Sequence, residues 1–181
     1  MNKRPITRRR LILIGLLLLS LSALQAQFEG TPGAGVHLGY ASAAKRPGVG
    51  VHLHYYPTNN LRFAPSFTRY LEAGSMQMWM AETDLHYILP LSPATSLYPI
   101  VGLQYSNWND DNWIDPSRLY DPAEGGMPMG ESHTSHRIGT SLGIGYQHDI
   151  RYRVRANLEF KYQFIKDYSQ MFFMAGFGFW L

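Results

Sequence analysis

The chain has 181 residues, 45% of them hydrophobic and none of them cysteine, so we expect one domain without disulfides and without a lipid-anchored N-terminal cysteine. Five of its 16 Lys and Arg residues, and none of its 13 Asp and Glu residues, lie within residues 1–26. Without that segment 11 basic and 13 acidic residues remain, a net charge of −2, so the basic character of the whole chain does not indicate nucleic-acid binding.

The first element has the three parts of a secretory signal peptide. A basic segment, residues 1–10, precedes the apolar run Leu11–Leu19, and the small residues of Ser20–Ala26 follow. We predict cleavage after Ala26, which leaves residues 27–181 as one barrel domain. A single anchor helix is the alternative, but the apolar run is short of the ~20 residues that such a helix needs.

From Ala34 onward apolar and polar residues alternate with a period of two, which predicts strands. The alternation is strictest over Arg151–Phe164. The predicted strands are Ala34–Ala41, Gly48–Tyr56, Leu61–Leu71, Met76–Leu89, Thr95–Tyr105, Arg137–Gln147, Arg151–Phe164 and Tyr168–Leu181. An even number of strands near the ~9–11 residues that cross a bilayer predicts an all-β, eight-stranded antiparallel up-and-down transmembrane β-barrel.

The predicted connections lie alternately at the two ends of the barrel, and only one of them is long. The short turns are Pro57–Asn60, Pro90–Ala94 and His148–Ile150, and the opposite connections are Ser42–Pro47, Glu72–Ser75, Ser106–His136 and Ile165–Asp167. In outer-membrane barrels the short turns are periplasmic and the long loops extracellular. We therefore expect both termini in the periplasm and the 31-residue segment Ser106–His136 outside the cell.

Alternation alone does not distinguish a membrane barrel from a soluble barrel with its apolar face inside. Glycine favours the membrane barrel, because residues such as Gly35, Gly143 and Gly178 share the less apolar face, where they would relieve crowding in a narrow lumen. The opposite face collects Val, Leu, Ile and Phe, with tyrosines toward the strand ends, as interfacial girdles do.

The ordered series of segments resembles the small outer-membrane barrels of the OmpA-like and PorT-like families. The matching segments are the signal ending at Ala26, the YPTNN turn, Tyr98–Tyr105, Arg137–Tyr146 and the aromatic final strand Met171–Leu181. The resemblance implies a Gram-negative cell envelope, contact with outer-membrane lipid and lipopolysaccharide, and insertion by the β-barrel assembly machinery. The resemblance to the PorT-like family implies a role in secretion or outer-membrane assembly.

Charged side chains are predicted to fill the lumen, because an eight-stranded barrel is only wide enough for its own side chains. The predicted lumen charge network is Arg62, Glu82, Asp84, His86, Arg153, Arg155, Glu159 and Lys161. Paired, these groups would form a rigid plug. A gated ion pathway, in which the pairs exchange partners, is the alternative.

Three histidines, His37, His52 and His54, are predicted on the inner face of the first two strands. Imidazole suits zinc, copper or nickel, but no carboxylate or cysteine lies among them at ligand spacing. We therefore expect hydrogen-bonded histidines and neither a metal nor another cofactor.

The predicted extracellular loop 106–136 is acidic and rich in aromatic residues. Its candidate contact residues are Trp108, Asp110, Asp111, Trp113, Asp115 and Tyr120. The segment NDDNWID offers oxygen ligands for a divalent cation but lacks the regular calcium-loop spacing. The loop is either solvated or, since long loops are often functional, the contact site for a protein partner.

An enzymatic alternative rests on Glu131, His133 and Ser135. The pair His133 and Ser135 resembles the His-x-Ser pair of the lipid A deacylases, in which a histidine activates a hydroxyl. In that family the pair lies near the C-terminus, whereas three strands follow it here. We expect a non-enzymatic structural or interaction barrel, with a narrow solute channel and a lipid A-modifying enzyme as alternatives.

Overall fold

The computed structural model describes residues 29–72, 76–113, 131–151, 153–166 and 168–181. Its strands are β1 Pro32–Ala41, β2 Arg46–Thr58, β3 Leu61–Tyr70, β4 Met76–Tyr87, β5 Leu89–Ser92, β6 Thr95–Trp113, β7 Glu131–Arg151, β8 Val154–Ile165 and β9 Gln170–Trp180. The predicted signal peptide, residues 1–26, lies outside the described residues. Within them, no helix is long and apolar enough to cross a membrane.

The strands form one closed antiparallel sheet. Apart from β4 and β5, which do not pair with each other, each strand pairs with its neighbour in sequence, and β1 pairs with β9 from Gly33↔Trp180 to Ala41↔Phe172, which closes the barrel. Strand β5 continues the line of β4 after a gap of one residue, and both pair with β6. Because β4 and β5 together occupy one strand position, the described residues form an eight-stranded barrel. The predicted eight-stranded all-β barrel is confirmed.

Alternation sorts the side chains into an exposed apolar face and a buried polar face. The exposed face carries residues such as Leu103 and Leu142, whereas Ser141, directly before Leu142, is fully buried. A soluble barrel would have the opposite arrangement, because water-exposed apolar surface of this extent is unfavourable. The exposed apolar side chains therefore form a lipid-facing belt.

Glycines make room for large inward side chains. A Cβ on Gly145 would lie 2.1 Å from the Tyr98 ring, and one on Gly35 would lie 2.3 Å from His52 Nε2. These inward positions are glycine because a larger side chain there would displace a ring from the lumen.

Two apolar clusters close the lumen near its ends. The loop-end cluster consists of Ala41, Tyr70, Met78, Met80, Trp108, Phe172 and Met174. The turn-end cluster consists of Tyr56, Ile88, Tyr98 and Ile100, with Trp180 packed against it. The polar lumen residues lie between these two clusters.

The prediction of a loop over Ser106–His136 is wrong at both of its ends. Residues Ser106–Trp113 belong to β6 and Glu131–His136 to β7, and they pair from Ser106↔Arg137 to Trp113↔Glu131. Beyond the apolar belt neither face needs to be hydrophobic, so the alternation fades while the backbone ladder continues. Strand β7 pairs with β8 only from Gly139, so the hairpin projects about 25 Å past β8.

One predicted turn is displaced. His148–Ile150 is part of β7, which continues to Arg151, and the chain reverses before Val154. Asp149 remains in the strand because the ladder extends to Asp149↔Arg155 and its carboxylate binds the Arg155 guanidinium.

Candidate functional site

The lumen charge network is assembled by three strands. Arg62 on β3 lies opposite His86 on β4, and Asp84 and Glu82 follow along the same face of β4. Strand β8 supplies Arg155, Glu159 and Lys161 from another part of the wall. All seven side chains are buried, since alternate residues of a strand point the same way.

Lys161 is the centre of the network. Its Nζ lies 2.8 Å from Glu82 Oε2, 2.8 Å from Asp84 Oδ2 and 3.9 Å from Glu159 Oε2, and its side chain is 1% exposed. Gln163 Nε2 donates to the second oxygen of Glu82 at 2.9 Å. Because β6 and β7 separate β4 from β8 on one side and four strands separate them on the other, these bonds cross the lumen.

Arg62 forms the second centre, nearer the turn end. Its Nε and Nη2 lie 2.9 and 2.7 Å from His86 Nδ1, and its Nη1 donates to Gln147 Oε1 at 2.7 Å and to Tyr56 Oη at 3.2 Å. Its guanidinium also covers the Tyr98 ring at 4.4 Å. Arginine only donates, so His86 Nδ1 accepts and a neutral imidazole carries its proton on Nε2.

Arg155 closes the network at the turn end. Its Nε and Nη2 bind both carboxylate oxygens of Asp149, at 2.5 and 3.1 Å, and its guanidinium lies 4.3 Å from the Trp180 ring centre. The prediction for Arg153 is wrong, because Arg153 is exposed in the turn between β7 and β8. The turn there interrupts the alternation that had placed Arg153 inside.

The three predicted histidines lie along the inner face of β1 and β2. His37 Nδ1 lies 3.4 Å from His52 Nδ1, and His37 Nε2 lies 2.8 Å from Thr68 Oγ1. The rings of His52 and His54 stack with centroids 5.7 Å apart. The arrangement is a stacked and hydrogen-bonded row.

A different trio brings potential metal-ligating atoms together, namely Asp84, His86 and Glu159, with one atom of each within 4.8 Å of the others. Metal ligation does not fit this donor set. The Lys161 ammonium lies 2.8 Å from Asp84 and would repel a bound cation, and the His86 nitrogen on that side, Nε2, carries the proton. The trio therefore functions as part of the ion-pair network.

The open space inside the network is small. A cavity of about 20 Å³ lies among His52, His54, Arg62, His86 and Glu159. That volume accommodates a single water molecule. A hydrated ion needs more space, so ion passage would require the network to rearrange.

The predicted contact residues of the outer segment are separated by the fold. Trp108 is buried in the loop-end cluster, where the Arg137 guanidinium lies 5.0 Å from its ring centre, so its predicted outward display is wrong. Asp110 lies at the end of the β4–β6 ladder, opposite Met76, and Asp111 and Trp113 continue β6 beyond it. Asp115 and Tyr120 lie outside the described residues.

The projecting hairpin is held by short polar side chains on its outward face. Thr134 and Ser132 donate to Asn109 Oδ1 at 3.0 and 3.1 Å, and Tyr105 Oη lies 2.6 Å from His136 Nδ1. His133 and Ser135 lie on the other face of β7, opposite Asp110 and Trp108. Glu131 begins the strand, and its side chain is outside the described part.

Several members of the network were not predicted. They are Tyr56, Tyr98, Gln147 and Gln163, and all four are buried. Strand parity was the available signal, because each lies on the same face as a predicted lumen residue or glycine. Tyrosine and glutamine carry no formal charge, so a search for charges missed them.

Comparison with known proteins agrees with this geometry. The family model for the outer membrane protein beta-barrel domain matches residues 11–179. Among curated proteins, none matches the chain by sequence.

Three solved structures illustrate the similarity in fold. The N-terminal β-barrel domain of Pseudomonas aeruginosa OprF has a TM-score of 0.62 at 15% identity, covering 86% of this chain and all of that one. Neisserial surface protein A has a TM-score of 0.56 at 18% identity, covering 82% and 95%. Yersinia pestis Ail, the attachment invasion locus protein, has a TM-score of 0.53 at 15% identity, covering 84% and 99%.

Proposed function

Because the chain belongs to the outer membrane protein beta-barrel domain family and lies in the outer membrane, we propose that it is a non-enzymatic, plugged barrel that displays the β6–β7 hairpin outside the cell. Residues 1–26 serve as its export signal in this proposal. The hairpin is the contact site for a protein partner.

The observation that carries the proposal is the succession of buried side-chain clusters along the lumen. The loop-end cluster, the charge network and the turn-end cluster follow one another along the barrel, with a cavity of only about 20 Å³ in the network. A conducting path would require Lys161 to leave two carboxylates, which costs several kcal/mol in a buried site. A static plug is therefore favoured over a channel.

The interaction role is supported by the rigidity of the hairpin. Asn109 Oδ1 accepts hydrogen bonds from Ser132 and Thr134, and Asn107 Nδ2 lies 3.1 Å from His136 Nδ1, so side chains link the two strands beyond the end of β8. A rigid projection loses little conformational entropy when it binds a partner. A protein of similar fold, Ail, is named as an attachment invasion locus protein and has been solved with the heparin analogue sucrose octasulfate, which supports a surface-contact role for this class of barrel.

We expect planar bilayers containing the refolded full chain to show no current steps. A variant lacking residues 110–130 should also give no current steps, because the lumen plug lies below the projecting hairpin. Heat-dependent gel mobility verifies that both proteins are folded, and a porin recorded in the same bilayer shows that currents are detectable. Reproducible single-channel steps from the folded full chain would refute the plug.

A further inference from the structure

The lipid-facing surface has an open, apolar groove at the seam where the barrel closes. It has a volume of about 640 Å³ and is lined by the side chains of Val36, Leu38, Val49, Phe67, Ala175 and Phe177. A second concavity of about 570 Å³ shares Leu38 and Ala175 with it. We call the two together the lateral groove.

A single small side chain creates the lateral groove. The outward residues of β9 are Met171, Phe173, Ala175, Phe177 and Phe179, and Ala175 has the smallest side chain among them. Its cross-strand neighbours on either side are Leu38 and Leu158, which form the flanks. The surface is therefore recessed at Ala175 and raised along the phenylalanines.

One end of the lateral groove carries a positive charge. Arg69 lines it, lies opposite Val49 in register and is one residue from the loop end of β3. Arg69 contacts Glu72 at 3.3 Å, and both side chains are more than half exposed, so this ion pair contributes little and is easily exchanged. From Arg69 to Ala175 the groove crosses three strand spacings, about 14 Å.

We propose that the lateral groove binds one acyl chain of an anionic lipid of the outer leaflet, with Arg69 contacting the lipid phosphate. The groove lies in the lipid-facing belt, where hydrocarbon is the surrounding solvent. Arg69 lies at the loop end, which short-turn topology places at the outer surface. An apolar cleft ending in an arginine matches an anionic lipid that carries a phosphate, because guanidinium groups pair well with phosphate oxygens.

The proposal is tested by native mass spectrometry of the refolded chain, titrated in detergent with phosphatidylglycerol or phosphatidylcholine of identical acyl chains. The wild type should retain one lipid and prefer phosphatidylglycerol about fivefold, since a single arginine contact contributes about that factor. Arg69→Gln should abolish the preference, and Ala175→Phe should lose both lipids. Thr140→Phe, at an exposed position outside the groove, should behave as the wild type.

Heat-dependent gel mobility shows that each variant is folded. Equal lipid retention by the wild type and Ala175→Phe, or no retained lipid in the wild type, would overturn the groove as the binding site. Retention without preference for phosphatidylglycerol would overturn the role of Arg69. A dimer that Ala175→Phe abolishes would show that a second copy occupies the groove.

Discussion

Replacing Lys161 by methionine should destabilise the barrel by about 3–5 kcal/mol, because it leaves buried carboxylates without a counter-charge. Glu82 and Asp84 each lie 2.8 Å from the ammonium, and both are almost completely buried. Methionine has a similar length, so lost packing contributes little. The free energy of unfolding in lipid vesicles, from reversible denaturant titration, measures the effect.

Two companion variants isolate the cause. Lys166→Met removes an exposed lysine close in sequence and should change stability by no more than about 0.5 kcal/mol. Lys161→Met combined with Glu82→Gln and Asp84→Asn should regain more than half of the loss, because the two carboxylates nearest to the lost ammonium are then uncharged. If Lys161→Met were as stable as the wild type, the ion-pair centre would have no structural role.

Replacing Arg62 by methionine should cost about 3 kcal/mol, because three buried acceptors lose a charged donor. The acceptors are His86 Nδ1, Gln147 Oε1 and Tyr56 Oη, and the guanidinium also leaves the Tyr98 ring. Arg62→Lys should recover only part of this, since an ammonium lacks the planar fork that reaches all three.

The same vesicle titration measures Arg62→Met, and Arg69→Met is its matched control on the lipid-facing side. Arg69 is largely exposed, so its removal should leave the free energy of unfolding nearly unchanged. Equal losses in the free energy of unfolding for Arg62→Met and Arg69→Met would contradict the claim that a lumen arginine stabilises the barrel more than an outer one.

The barrel was predictable because its signal is local. In Arg155–Phe164 every second side chain faces the lumen, and a period of two is visible in one strand without its neighbours. The same parity places Arg62, Asp84 and Lys161 inside. Parity gave the wrong position for Arg153, because β8 begins after it. The residue at which a strand begins or ends depends on pairing with the partner strand, which the sequence of one segment does not reveal.

The partners within the lumen were not predictable. That Lys161 pairs with Glu82 and Asp84 depends on the stagger between strands on opposite walls, which is a property of the closed barrel. The prediction of a loop over Ser106–His136 failed for a different reason. Ser106–Trp113 has polar residues on both faces, so hydrophobicity carries no strand signal there although the backbone ladder persists.

Adjacent cysteine substitutions on β7 test the central claim, that apolar side chains contact lipid and polar side chains fill a closed lumen. The chain has no cysteine of its own, so each introduced thiol reports on one position. Leu142→Cys should react with a membrane-soluble fluorescent maleimide in vesicles and be quenched by brominated lipid, whereas Ser141→Cys should remain unlabelled until the barrel is denatured. Labelling of Ser141→Cys in the folded protein, with Leu142→Cys protected, would contradict the account.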